Sequence, residues 1–194
     1  AMQLSAADAG LYGIAYMVSS AAILFLSILG MVIGKDMIER IEYWENRKNI
    51  HKAMVVFGIF IVIVTAIGVL LYYIDSNYYN YTHVTDNRLY PLVLLISAAV
   101  YPLCCNVLYG GFLFYYKKTS YLAWGILLAS IANVFLTFVG VETFGLIGAA
   151  YASIISNLIF CINSTYWAHK IANLKKSATA DILLIIASTG VLTV

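Results

Sequence analysis

The sequence predicts an all-α, polytopic bundle of transmembrane helices, and three observations carry that prediction. Of 194 residues, 63% are hydrophobic and only 10% are charged, against roughly half and a quarter in an ordinary soluble domain. The apolar residues gather into runs near the length that crosses a bilayer, about 20 residues. The segments between runs alternate between strongly basic and nearly uncharged. A lipid environment leaves helices and closed barrels as the spanning forms, and these runs lack the two-residue alternation of barrel strands.

Five full spans and one truncated span are expected, at about 11–34, 53–74, 89–116, 121–140, 144–168 and 181–194, forming a single membrane domain over 1–194. The first is followed by KDMIERIEYWENRKNIHK, which holds Lys35, Arg40, Arg47, Lys48 and Lys52. Ile38, Ile41 and Trp44 recur there at helical spacing, which predicts a short amphipathic helix along the membrane surface. Lys117 and Lys118 follow the third span, and Lys170, Lys175 and Lys176 the fifth. Ten of the eleven Lys and Arg thus fall on one side, with Arg88 on the other. The positive-inside rule places loops 35–52, 117–120 and 169–180 in the cytoplasm. The Tyr-rich loop 76–88 and the VETFG turn then face outward. No basic leader region opens the chain, and its last apolar run is too short to cross, so a piece of a longer protein is expected.

Helical wheels sort the polar residues into stripes. Tyr12, Tyr16, Ser19, Ser27 and Gly30 share a face of the first span. Tyr90, Ser97, Tyr101, Cys104 and Gly111 share one of the third, with Tyr109 on a neighbouring face and Pro102 in mid-helix, where it removes a backbone donor and predicts a kink. Ser130, Asn133 and Thr137 line the fourth. These stripes fit two roles, hydrogen bonding between helices or the wall of a water-filled cavity. The cavity role makes Tyr12, Tyr16, Tyr101, Tyr109 and Asn133 substrate candidates, with Arg88 at the outer mouth. In the fifth span Gly145, Gly148, Ala149, Ala152, Ser153 and Ser156 form the small-residue side that lets helix backbones approach, a packing role.

Little else suggests chemistry. No metal-ligand spacing, nucleophile elbow, phosphate loop or carboxylate pair is present, so neither an enzyme, nor a cofactor, nor a metal, nor nucleic acid is expected. Cys104, Cys105 and Cys161 sit in apolar runs and read as small buried residues. His51, His83 and His169 are scattered near span ends, where solvated or interfacial roles are expected. Asp75, Glu142 and Arg88 fall at the outer boundary, and no charged residue is expected deep in a span.

The stretch ASIANVFLTFVGVETFGLIGAAYASII, residues 129–155, resembles a pattern in the C-terminal half of polysaccharide exporters (Wzx-type) of the multidrug/oligosaccharidyl-lipid/polysaccharide (MOP) flippase superfamily. Asn133, Phe144-Gly145 and Gly148-Ala149-Ala150 take the places of that family's helix Asn, outer turn and small-residue helix start. AGLYGIAYMVSS, KDMIER and LFYYKKTSYLAWGILLASIANV resemble, in order, further segments of the same half. The resemblance implies one lobe of a two-lobe, MATE-like transporter that flips a lipid-linked oligosaccharide by alternating access. Its partners would be that substrate, membrane lipids and a missing N-terminal lobe of the same chain, the source of any cationic residues for a lipid pyrophosphate. A multidrug antiporter or peptidoglycan-precursor flippase of the same superfamily, and a structural membrane protein that transports nothing, stay open beside it.

Overall fold

A computed structural model of the chain describes residues 6–74, 89–172, 174 and 178–193, and all its regular structure is helical. The helices are α1 (Ala6–Glu39), α2 (Ile41–Glu45), α3 (Arg47–Ile74), α4 (Leu89–Tyr115), α5 (Thr119–Phe144), α6 (Leu146–Ala172) and α7 (Ala178–Leu192). Among the described residues four helices, α3 to α6, are long and apolar enough to cross a membrane. The 11–34 stretch expected as a further span lies wholly within the 34-residue α1. The 15-residue α7 is apolar but shorter than a crossing. Arg88, Asp75, His83, Lys175, Lys176 and loop 76–88 fall outside the described residues.

The basic segment 35–52 does not form one amphipathic helix. α1 continues five residues past Gly34, α2 is a single turn, and α3 starts at Arg47. Local polar groups impose this division. Asp36 pairs with Arg40 at 3.0 Å and accepts 2.8 Å from the Trp44 indole N–H, folding the chain back with Trp44 buried. Asn46 then caps α3, its side-chain oxygen accepting from the Lys48 backbone N–H at 3.1 Å. Pro102 lies inside an α4 that runs unbroken from Leu89 to Tyr115.

Two tight turns make antiparallel hairpins. α4 ends where the Lys118 N–H reaches the Leu113 carbonyl at 2.8 Å, with Lys117 in the left-handed region (φ 56°). α5 and α6 are separated by Gly145 alone (φ 62°), whose N–H reaches the Val141 carbonyl at 3.1 Å. Glu142 is exposed beside this turn. On either side of it Gly140 and Gly148 bring the two backbones together, and a Cβ on either residue would run into the other's carbonyl.

α6 packs on α5, α4 and α7, and α4 on α1, α3, α5, α6 and α7. Polar side chains of α6 tie it to its neighbours. Asn157 donates to the Ala99 carbonyl of α4 and Asn163 to the Tyr121 carbonyl of α5, both at 2.8 Å. Ala152 and Ser156 are buried, and Gly145, Ala149 and Ser153 partly so. α4 is the most enclosed helix. α3 and α5 instead present rows of bare apolar side chains, such as Val56, Ile59 and Ile67 on one and Val134, Phe135 and Phe138 on the other. Rows this long suit contact with lipid or further protein rather than water. Exchanging Gly148 for Ala should cost about 1–3 kcal/mol, because the added methyl meets backbone that cannot move aside. Gly13→Ala, with open space around its Cα, should leave stability nearly unchanged; thermal unfolding of both variants in detergent checks the contrast.

Candidate functional site

The basic ends of the helices lie together. Tyr116, after α4, donates to Glu45 of α2 at 2.9 Å; Met37 of α1 packs on Gly111 of α4; Tyr121 of α5 stacks on Trp167 of α6 with ring centres 3.9 Å apart. At this end α3 and α7 begin while α4 and α6 finish, and their side chains meet around one carboxylate.

Asp181 sits in the first turn of α7 and is fully buried. His51, in the second turn of α3, places Nε2 3.0 Å from its Oδ1. His169, one turn from the end of α6, places Nε2 2.9 Å from Oδ2, and the Tyr109 hydroxyl of α4 donates to the same oxygen at 3.0 Å. Tyr109 is wholly buried, its ring 5.9 Å from that of His169 and its hydroxyl 4.0 Å from the Met54 sulfur. His169 is almost fully buried, while the His51 side chain keeps 34% of its surface exposed. A carboxylate taken out of water is tolerated when donors replace its hydration. Three other helices supply those donors, and the N-terminus of α7 adds its partial positive charge. Each imidazole donates when its proton is on Nε2. With both imidazoles neutral the cluster carries one negative charge, and with one protonated it carries none. Among the described residues no His, Cys, Asp and Glu are arranged to hold a metal ion.

Beyond the cluster α3 and α7 part. A groove of about 480 Å³ lies between them. Met54, Val55, Gly58 and Ile59 line one wall, Ala187, Ser188 and Val191 the other, and Tyr101 of α4 closes the back. The Tyr101 hydroxyl reaches Ser188 and is the main polar group in an otherwise apolar lining.

The residues singled out from sequence occupy several places. Tyr101 backs the groove and Tyr109 belongs to the carboxylate cluster. Tyr12 bonds Ser153 of α6 at 3.3 Å, and Asn133 of α5 donates to Ser156 of α6 at 2.8 Å. Tyr16 is half exposed on α1, and Arg88 lies outside the described residues. Ser19 and Ser97 join α1 to α4 at 3.2 Å. Sequence reasoning missed His51, His169 and Asp181. The two histidines pair with a buried carboxylate rather than standing solvated or interfacial, and Asp181, expected only as the start of the last apolar run, is fully buried there. One available signal was that His51, His169 and Asp181 all lie within a turn or so of the basic ends of their helices.

Tyr109→Phe removes a hydrogen bond to a buried charged group and should lower stability by about 1.5–3 kcal/mol, measured by thermal unfolding in detergent. At the surface, partial burial and then the Glu45 carboxylate push the Tyr116 phenol from 10.0 up to about 12. Because the folded value is the higher one, the contribution of this contact is complete below pH 10.0 and fades as pH rises towards about 12. Tyr116→Phe should remove that part of the alkaline loss of stability, read from unfolding curves across the interval.

No protein-family model, curated protein or solved structure matches the chain, so the chemistry of the site rests on its own residues.

Proposed function

We propose that the chain is one lobe of a membrane transporter that flips a lipid-linked oligosaccharide across the cytoplasmic membrane by alternating access. In this reading α1 and α3 to α6 cross the bilayer and α7 begins a further crossing. The basic ends face the cytoplasm, and a second lobe of the same protein completes the path. Trp44, Tyr121, Trp124 and Trp167 lie near the basic ends of their helices, a distribution that suits a membrane interface. Lys170 lies 4.9 Å above the Trp167 ring, as a snorkelling cation does.

The observation that carries the proposal is the α3–α7 groove. Its volume of about 480 Å³ falls within the range of ligand sites, and its lining is hydrocarbon with Tyr101 and Ser188 as polar points. That mixture suits a substrate with an isoprenoid-like tail and hydroxyl-rich head. One observation favours a structural protein instead. The hydrogen bonds of Tyr12 with Ser153 and Asn133 with Ser156 use polar residues as helix-to-helix glue, leaving less polar surface for a cavity.

The two readings part in the cell. Deleting the gene should reduce surface polysaccharide and accumulate its lipid-linked precursor. Reintroducing the full-length protein should restore the polymer, whereas Ala187→Trp, which fills the groove from an exposed position on α7, should restore at most about a tenth of it, a loss equal to about 1.4 kcal/mol in the limiting step. Normal polymer with no precursor accumulation after deletion refutes the transporter reading.

A further inference from the structure

The groove between α3 and α7 opens outward. Val55, Ile59 and Val191 on its walls each keep more than half of their surface exposed. On α3 the face that forms the wall continues past the groove towards the basic end. Lys48, Lys52, Val55, Ile59, Val62 and Ile63 fall within an arc of about 100° of one helix face, at about 100° per residue. Two cations thus stand in line with the hydrocarbon row, Lys52 less than one turn and Lys48 two turns before Val55. Both are exposed, and among the described residues neither is ion-paired, whereas Lys35 and Arg40 are held by Glu39 and Asp36. Asp181, the carboxylate at this end of the groove, is turned inward onto His51, His169 and Tyr109 and does not neutralise them.

We propose that this face of α3 and the groove beside it form one binding site for an anionic phospholipid, with an acyl chain along Val55, Ile59 and Val62 and the phosphate on the ammonium groups of Lys48 and Lys52. The dimensions fit. From Met54 to Ile63 the wall runs about 14 Å along α3, close to half of the roughly 30 Å hydrocarbon thickness of a bilayer. That is the depth of one leaflet and so of one chain. The lysine stems lie along apolar surface while their heads stay at the water boundary, where phosphates lie. An ammonium group meets a phosphate as a compact point charge and needs no fixed fork geometry.

The two halves of the site select together. A free phosphate has the charge but no chain for the groove. A zwitterionic lipid has the chain but carries its own cation beside the phosphate, so a pair of lysines gains less from it. The site requires α3 to cross a bilayer with its basic end at the interface, and it goes beyond the transporter reading by saying nothing of what is carried. Within that reading the phospholipid occupies the groove until a substrate displaces it.

The experiment uses the full-length protein in phosphatidylcholine nanodiscs with no oligosaccharide lipid, so a failure of the transporter reading does not affect it. A minor share of the lipid is phosphatidylglycerol or phosphatidylcholine bearing the same diazirine-labelled acyl chain, and photolysis with peptide mapping locates the attached lipid. Phosphatidylglycerol should label residues 54–63 and 187–192 more than its phosphatidylcholine counterpart, by about fivefold for each lysine. Lys48→Gln with Lys52→Gln should bring the two lipids level. Lys48→Arg with Lys52→Arg should keep the preference, and Lys117→Gln with Lys118→Gln, at another turn of the basic end, should leave it unchanged. Excess inorganic phosphate should not displace the lipid. Equal labelling by the two lipids in the parent protein overturns the proposal, as does a preference that survives the double glutamine variant at 48 and 52 or is abolished by inorganic phosphate. Groove walls left unlabelled by both lipids also overturn it, and mean that another segment of the protein or a second copy covers them.

Discussion

A carboxylate removed from water constrains its surroundings more tightly than any apolar contact does. Asp181 requires donors at defined distances and angles, and they arrive from α3, α4 and α6. The four helices therefore share one register at their basic ends, because sliding any of them by a turn would carry its donor out of reach. Breaking a buried charged pair by removing one partner costs about 3–5 kcal/mol, whereas a single polar contact between helices in a membrane averages about 0.6 kcal/mol. The Tyr12–Ser153, Ser19–Ser97 and Asn133–Ser156 hydrogen bonds are of the second kind. They adjust how the helices pack, and the cluster fixes where the helices begin and end.

Away from that end the bundle relies on shape. Apolar side chains facing lipid gain nothing by turning inward, so close backbone approach and small residues carry helix association in a membrane. The Gly140–Gly148 contact does this for α5 and α6 beside a one-residue turn. Gly111 does it for α1 and α4 by admitting Met37, and Gly125 makes room for Asn163 and Phe160 of α6. The bare apolar rows on α3 and α5 fit the same physics, since a bilayer would give no reason to cover them.

Most of the helical framework was legible in the sequence because hydropathy and length are local properties. The expected 89–116 and 144–168 spans differ from α4 and α6 by a few residues at their ends. The basic segment was less legible. Its apolar spacing fits an amphipathic helix, but Asp36 holding both Arg40 and Trp44 breaks the segment into a turn, and nothing in the periodicity encodes that pairing. The carboxylate cluster was hidden for a related reason. Residues 51, 109, 169 and 181 are far apart in the chain, and a helical wheel gives the direction of a side chain without naming what lies there. Tyr109 stood off the main polar stripe of α4 because its partner is on α7, and Asp181 looked like an ordinary acidic residue in a helix's first turn.

The distribution of strong and weak contacts also determines where the bundle can change shape. α4 and α6 are locked by the Asn157 bond and continuous packing, and α5 and α6 by two glycines and a tight turn. A motion between these helices would break many contacts at once. α3 and α7 face each other across a groove and meet through His51 and Asp181 at one end. A rigid three-helix core beside one bridged pair concentrates any rearrangement on that bridge, since separating the pair exposes groove walls that are already open. The bridge also carries the strictest hydrogen-bond demand, because its carboxylate is the fully buried charged group among the described residues. Mechanical weakness and the demand for well-placed donors thus coincide at His51 and Asp181, so a change at this one contact alters how α7 sits against α3 while the rest of the bundle keeps its form.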